Sequence, residues 1–142
     1  MKKFTIALLS GVLAVLLFTL SGCADFAFNP IGRWTLTERR VYIGDRLDET
    51  MPNESYRQTA LVFKKSGTGY IDGGNSTHID FTYEYTDNEV TIRLNKNDEN
   101  IPPTVYHLSD DGKALVVILD EFDEPDDKGI TQHGRLESVF VR

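Results

Sequence analysis

From Gly32 onward the chain carries apolar and polar side chains in short alternating runs. The clearest is Ile79-Asp80-Phe81-Thr82-Tyr83-Glu84-Tyr85, with Ile79, Phe81, Tyr83 and Tyr85 on one face and Asp80, Thr82 and Glu84 on the other. A period of two is the spacing of a strand with one buried and one wetted face. Thr86-Asp87-Asn88-Glu89 has turn composition, and Val90, Ile92 and Leu94 then alternate with Thr91 and Arg93, so the pair reads as a hairpin. The same reading predicts eight strands, over 33–43, 58–65, 68–72, 78–85, 89–95, 103–108, 113–120 and 131–141. The first loses its parity near Arg39-Arg40, where a bulge is expected. No stretch sustains helical spacing. Successive hairpins without a helical crossover predict an all-β, eight-stranded antiparallel up-and-down β-barrel, whose closure removes both sheet edges. Three loops are too long for tight turns, 44–57, 95–102 and 121–130. The first is expected as a lid over the barrel mouth, with Met51 and Tyr56 folding inward.

The segment before the strands has a different pattern. Lys2 and Lys3 precede an almost wholly apolar run from Phe4 to Leu20, which ends in Leu20-Ser21-Gly22-Cys23. A basic start, an apolar stretch and small residues at a cleavage point make a secretory signal. An uncleaved membrane anchor, or a plain signal with a chance cysteine, fits the same apolar run. The tetrapeptide resembles the lipobox of bacterial lipoproteins. That resemblance implies a signal peptide over 1–22, diacylation of Cys23, a tether over 23–30 and a domain over 31–142. It also implies an extracytoplasmic chain held to the membrane by its N-terminal acyl chains. Ala24 is not the acidic residue that retains some lipoproteins at the inner membrane, so the outer membrane is the expected site where the organism has one.

Charge narrows the function classes. The 142 residues carry 15 basic and 22 acidic side chains, for a formal charge of −7. Residues 1–22 hold two lysines and no acid, so the remainder is more acidic still. A nucleic-acid binder needs a basic stripe to neutralise phosphates, and none exists here. The single cysteine excludes an intramolecular disulfide framework and any CxxC site.

Gly32-Arg33-Trp34 opens the first predicted strand, and the chain from residue 31 to 142 resembles a lipocalin-like (calycin) domain. In that family the Trp of a G-x-W signature closes one end of the barrel beneath an Arg from the last strand. Closure of an eight-stranded meander brings the end of the last strand to the start of the first, which puts Arg142 in that role. The resemblance therefore implies Gly32, Trp34 and Arg142 as structural signature residues. Ser109-Asp110 partly matches the family's Thr-Asp turn between strands six and seven. The chain lacks the helix that follows the last strand in transport lipocalins, and so looks more like short bacterial lipocalin-like lipoproteins.

The chemistry-bearing residues form no catalytic motif. His78, His107 and His133 fall in or beside different strands, with no HxH or HExxH spacing for zinc. Asp120-Glu121-Phe122-Asp123-Glu124-Pro125-Asp126-Asp127 departs from the EF-hand pattern and reads as a solvated run or an acidic rim for a basic partner. No P-loop, GxGxxG or nucleophile elbow occurs. The expectation is a non-enzyme without metal or cofactor. Inward aromatics either fill an eight-stranded barrel or line a small pocket. One function expected is a carrier holding a small, largely apolar ligand against Phe81, Tyr83, Tyr85 and Tyr106. The other is an envelope protein-interaction or inhibitor module with a filled barrel and an acidic rim.

Overall fold

A computed structural model describes residues 27–53, 59–74, 76–95 and 101–142. The expected signal peptide, Cys23, tether residues 24–26, Tyr56 and the centre of the 95–102 loop lie outside the described residues. The order is β1 (Gly32–Ile43), β2 (Arg46–Pro52), β3 (Ala60–Phe63), β4 (Thr68–Asp72), β5 (His78–Tyr85), β6 (Glu89–Leu94), β7 (Thr104–Leu108), β8 (Ala114–Pro125) and β9 (Thr131–Val141). Every pairing is antiparallel. Strands β1 and β3–β9 follow one another around a closed eight-stranded barrel, and pairing of β1 with β9 completes it.

The ninth strand is β2. The sequence reading places residues 44–57 in a lid, but Arg46–Pro52 instead form a strand along β1, joined to it by the two-residue turn Gly44-Asp45. Gly44 takes φ 59°, a left-handed value glycine adopts freely. Along one edge of β1, β3 pairs with residues 32–35 and β2 with residues 38–43. The handover is stitched by Leu36 N–H donating to Thr59 O at 2.8 Å, Asn53 N–H to Thr37 O at 2.8 Å, and Asn53 Nδ2 to Leu36 O at 2.7 Å. The irregularity expected near Arg39-Arg40 takes the form of two slips that flank the pair, against β9 between Leu36 and Glu38 and against β2 between Val41 and Tyr42.

Residues 121–130 also depart from the expected loop. The acid run is not a loop: β8 continues to Pro125 and pairs with β9 to Thr131 after a register slip between Ile118 and Asp120. The turn is residues 126–130, held by Asp126 Oδ1, which accepts from Lys128 N–H at 2.9 Å and Ile130 N–H at 2.8 Å. The far halves of β1, β8 and β9 thus run past the barrel with β2 as a four-stranded wing, ordered β2-β1-β9-β8.

The barrel core is a single cluster of buried side chains drawn from Trp34, Leu36, Leu61, Phe63, Phe81, Tyr83, Val90, Ile92, Tyr106, Leu115, Val117 and Phe140. Alternation explains it, since each strand turns every second side chain inward. Gly69 marks the tightest approach. A Cβ there would lie 2.3 Å from Val62 O and 2.5 Å from the Phe81 ring, so glycine lets the ring settle over the strand.

Candidate interaction surface and the barrel ends

The four aromatics expected to wall a ligand do not form one wall. Phe81, Tyr83 and Tyr106 lie inside the core cluster. Phe63 meets Phe81 edge-on at 5.4 Å between centroids and Tyr83 at 4.9 Å, and Tyr106 meets Phe140 at 5.8 Å. These are ordinary packing geometries for aromatic pairs. Tyr83 also donates its hydroxyl to Lys64 O at 2.6 Å, at the β3–β4 turn. Burial pushes the Tyr106 hydroxyl up to about 12. Tyr85 stands apart. It is 49% exposed at the end of β5, with its ring edge-on to Phe28.

That end of the barrel is closed by Trp34. Its indole Nε1 donates to Pro30 O at 2.8 Å, and Phe28 packs edge-on against the ring. The Arg142 guanidinium sits 5.8 Å from the ring centroid and donates to Ile31 O at 2.6 Å and Asn29 O at 3.4 Å. Arg142 therefore ties the segment before β1 to the end of β9, and its hydrogen bonds matter more than the distant cation–π contact. Gly32, at φ 131°, lies directly beside this guanidinium. An open cavity of about 490 Å³ adjoins the cap, lined among others by Phe28, Trp34, Lys113 and Arg142.

The wing carries the charge. One face is a polar ladder in which Arg40 Nε donates to Glu38 at 2.6 Å and Arg135 Nε to Glu137 at 2.7 Å, while the Arg135 guanidinium stacks 4.1 Å from the Tyr42 centroid. Glu137 is nearly buried, and its hydrogen bond, with its charge, raises the Arg135 pKa. On the opposite face Phe122 lies over Gly134, where a Cβ would come within 2.3 Å of the ring. Beyond this pair the wing is acidic. Between Asp120 and Asp127 stand six carboxylates and no cation. His133 pairs with Asp123 at 3.2 Å and Glu121 at 3.6 Å, and these two, Asp123 first, hold its pKa above the ordinary histidine value. Hydrogen bonds from Ile130 and Lys128 N–H hold the Asp126 carboxyl below the usual range. Asp120, Glu124 and Asp127 make no ion pair among the described residues. A polar cleft of about 350 Å³ at the wing tip lies between Arg46 and Asp48 on one side and Glu124 to Asp127 on the other.

The other histidines are exposed and each lies beside an acid, His78 by Asp80 at 3.0 Å and His107 by Glu89 at 3.1 Å. Among the described residues no three His, Cys, Asp or Glu side chains converge to hold a metal ion. Ser109, of the expected turn, donates to Asp111 at 2.6 Å and accepts from Ala114 N–H at 2.9 Å, a structural role between β7 and β8.

The fold and surface thus define a closed antiparallel barrel of eight strands with one extra strand and an acidic wing. Comparison with protein-family models, with curated proteins and with solved structures finds no match to this chain.

Proposed function

We propose that this is a lipid-anchored, extracytoplasmic envelope protein whose barrel is a filled scaffold and whose acidic wing contacts a basic protein partner. The observation that carries the reading is the packing of Phe63, Phe81 and Tyr83 on one another and of Tyr106 on Phe140, all within the one core cluster. The wing supplies what the bore does not: a projecting surface, fixed by two hairpins, on which Asp120, Glu124 and Asp127 make no ion pair among the described residues. Such a surface steers association and selects partner charge. The anchor rests on Leu20-Ser21-Gly22-Cys23, and the likeness to lipocalin-like lipoproteins on Gly32-Arg33-Trp34 within the meander. The reading assigns no catalytic residue, cofactor or nucleic-acid partner, and places the chain in the outer membrane where the organism has one.

A second reading, the capture of a small, largely apolar molecule, draws on the cavity beside Phe28 and Trp34 at the closed end. The two separate by mutation. Glu124→Lys with Asp127→Lys removes carboxylates that make no ion pair among the described residues, and is expected to abolish salt-sensitive association with the envelope partner while leaving the fold intact. Retention of that association, together with loss of a co-purifying small molecule in Phe28→Ala, would replace the first reading with the second.

A further inference from the structure

The barrel has one incomplete seam. β8 is paired along its whole length with β9, yet on its other edge β7 reaches it only through His107–Val116 and Leu108–Leu115. Extending that ladder would set Val105 against Ile118, and no pairing is made there. From Val117 to Pro125, therefore, one edge of β8 has no strand neighbour among the described residues. A strand of this length spans roughly 30 Å and presents a row of backbone groups to a further strand, although Glu121 N–H is already taken by Asp120 Oδ1 at 3.0 Å and Pro125 has no N–H to offer. Exposed apolar side chains flank the gap: Val105 at 36% and Ile101 at 40% on the β7 side, Ile118 at 44% and Leu119 at 50% on the β8 side.

We propose that this open edge of β8 is a strand-addition site for an extended polypeptide segment bearing apolar and basic residues. The inference rests on the interaction reading above and names the partner's chemistry. Strand addition takes its affinity from main-chain hydrogen bonds and its specificity from alternate side chains. Here Ile118 and Leu119 accept apolar side chains, and Asp120, Glu121, Asp123 and Glu124 accept lysine or arginine. A second copy of the chain is disfavoured, because edge-to-edge pairing sets one acid run against another and directly opposed like charges destabilise a sheet. The same charges that deter self-pairing thus admit a basic strand. The outer edge of β2 is the weaker candidate: it is shorter, and its Arg46 is already paired with Asp48 at 2.9 Å.

The test uses the full chain in detergent and a fluorescein-labelled nonapeptide alternating valine and lysine. Two comparison peptides replace lysine with glutamate or carry N-methyl groups at alternate residues. The expected result is binding of the lysine peptide, with slowed amide exchange confined to Val117–Glu124. The glutamate and N-methylated peptides should bind at least about tenfold more weakly, as should the lysine peptide to Glu121→Lys/Glu124→Lys, whose fold is checked by Trp34 fluorescence. Equal binding of the N-methylated peptide would overturn strand addition in favour of charge capture alone, and the acidic-contact reading would stand. Protection along β2 would overturn the choice of edge and likewise spare that reading. Dimerisation with protected β8 amides and no peptide would make a second copy the occupant. Absence of peptide binding, with the envelope association also insensitive to Glu124→Lys/Asp127→Lys, would remove both.

Discussion

Gly69→Ala probes the packing on which the filled-barrel account rests. The new methyl would meet two obstacles, Val62 O at 2.3 Å and the Phe81 ring at 2.5 Å. The carbonyl is fixed by the β3–β4 ladder, in which Val62 pairs with Tyr70 and Phe63 with Gly69. The ring is fully buried and held by Phe63 at 5.4 Å and Tyr83 at 6.3 Å. Neither can yield without moving a neighbour, so the upper end of the overpacking range applies, about 3 kcal/mol. For a domain of this size that lowers the melting temperature by about 10 °C. Alanine in a strand is otherwise better than glycine by about 0.5–1 kcal/mol, so the sign itself is diagnostic. Trp34 is the only tryptophan and reports unfolding by fluorescence. Phe81→Leu in the Gly69→Ala background should recover part of the loss, since it shortens one of the two obstacles. A Gly69→Ala variant as stable as the parent would refute the packing described for β3, β4 and β5.

Other outcomes follow from single contacts. Tyr106 should ionise well above an ordinary tyrosine in a spectrophotometric titration. Because its folded pKa is raised, the stability it confers is whole below about pH 10 and is lost as pH rises towards 12, roughly 2–3 kcal/mol in all, so Tyr106→Phe should unfold at higher pH than the parent. His133 should titrate above an ordinary histidine by NMR, and Asp123→Asn should lower its midpoint. Its folded pKa being raised, any stabilisation is present below the unfolded value and fades as pH rises through the folded one. Asp72, held low first by the Arg33 hydrogen bond and then by Gly74 N–H, carries the opposite sign: its contribution is present above the ordinary carboxylate range and fades as pH falls. Arg142→Ala removes the hydrogen bonds to Ile31 and Asn29 and should cost about 1–2 kcal/mol in urea unfolding, with Trp34 emission changed as its cover is lost.

Much of the barrel is legible in the sequence because its strands bury one face. Val90 and Ile92 on β6 meet Phe81 and Tyr83 in the core, so period two shows plainly. The wing is hard to read for the converse reason. β2, RLDETMP, has few apolar residues and covers no core, so its alternation is faint. Its turn was the available signal, since Gly-Asp between two extended runs marks a two-residue hairpin. Beyond Ile118 the acids of β8 fall on both faces, because neither face lies against the barrel core and the slip at Leu119 shifts parity. A strand of that kind has loop composition. The fate of the aromatics was equally hidden. Phe81, Tyr83 and Tyr85 share one face by sequence, but only the barrel's depth separates the two that pack inside from the one that emerges beside Phe28.

Native mass spectrometry of the full chain, taken in detergent from its own host's membranes, tests the central claim most directly. The account predicts a complex with a second protein that dissociates as ionic strength rises and is lost in Glu124→Lys/Asp127→Lys, with no stoichiometric small adduct on the chain. A small-molecule adduct that persists at high salt and disappears in Phe28→Ala would contradict it, and would make the cavity at the closed end a binding site.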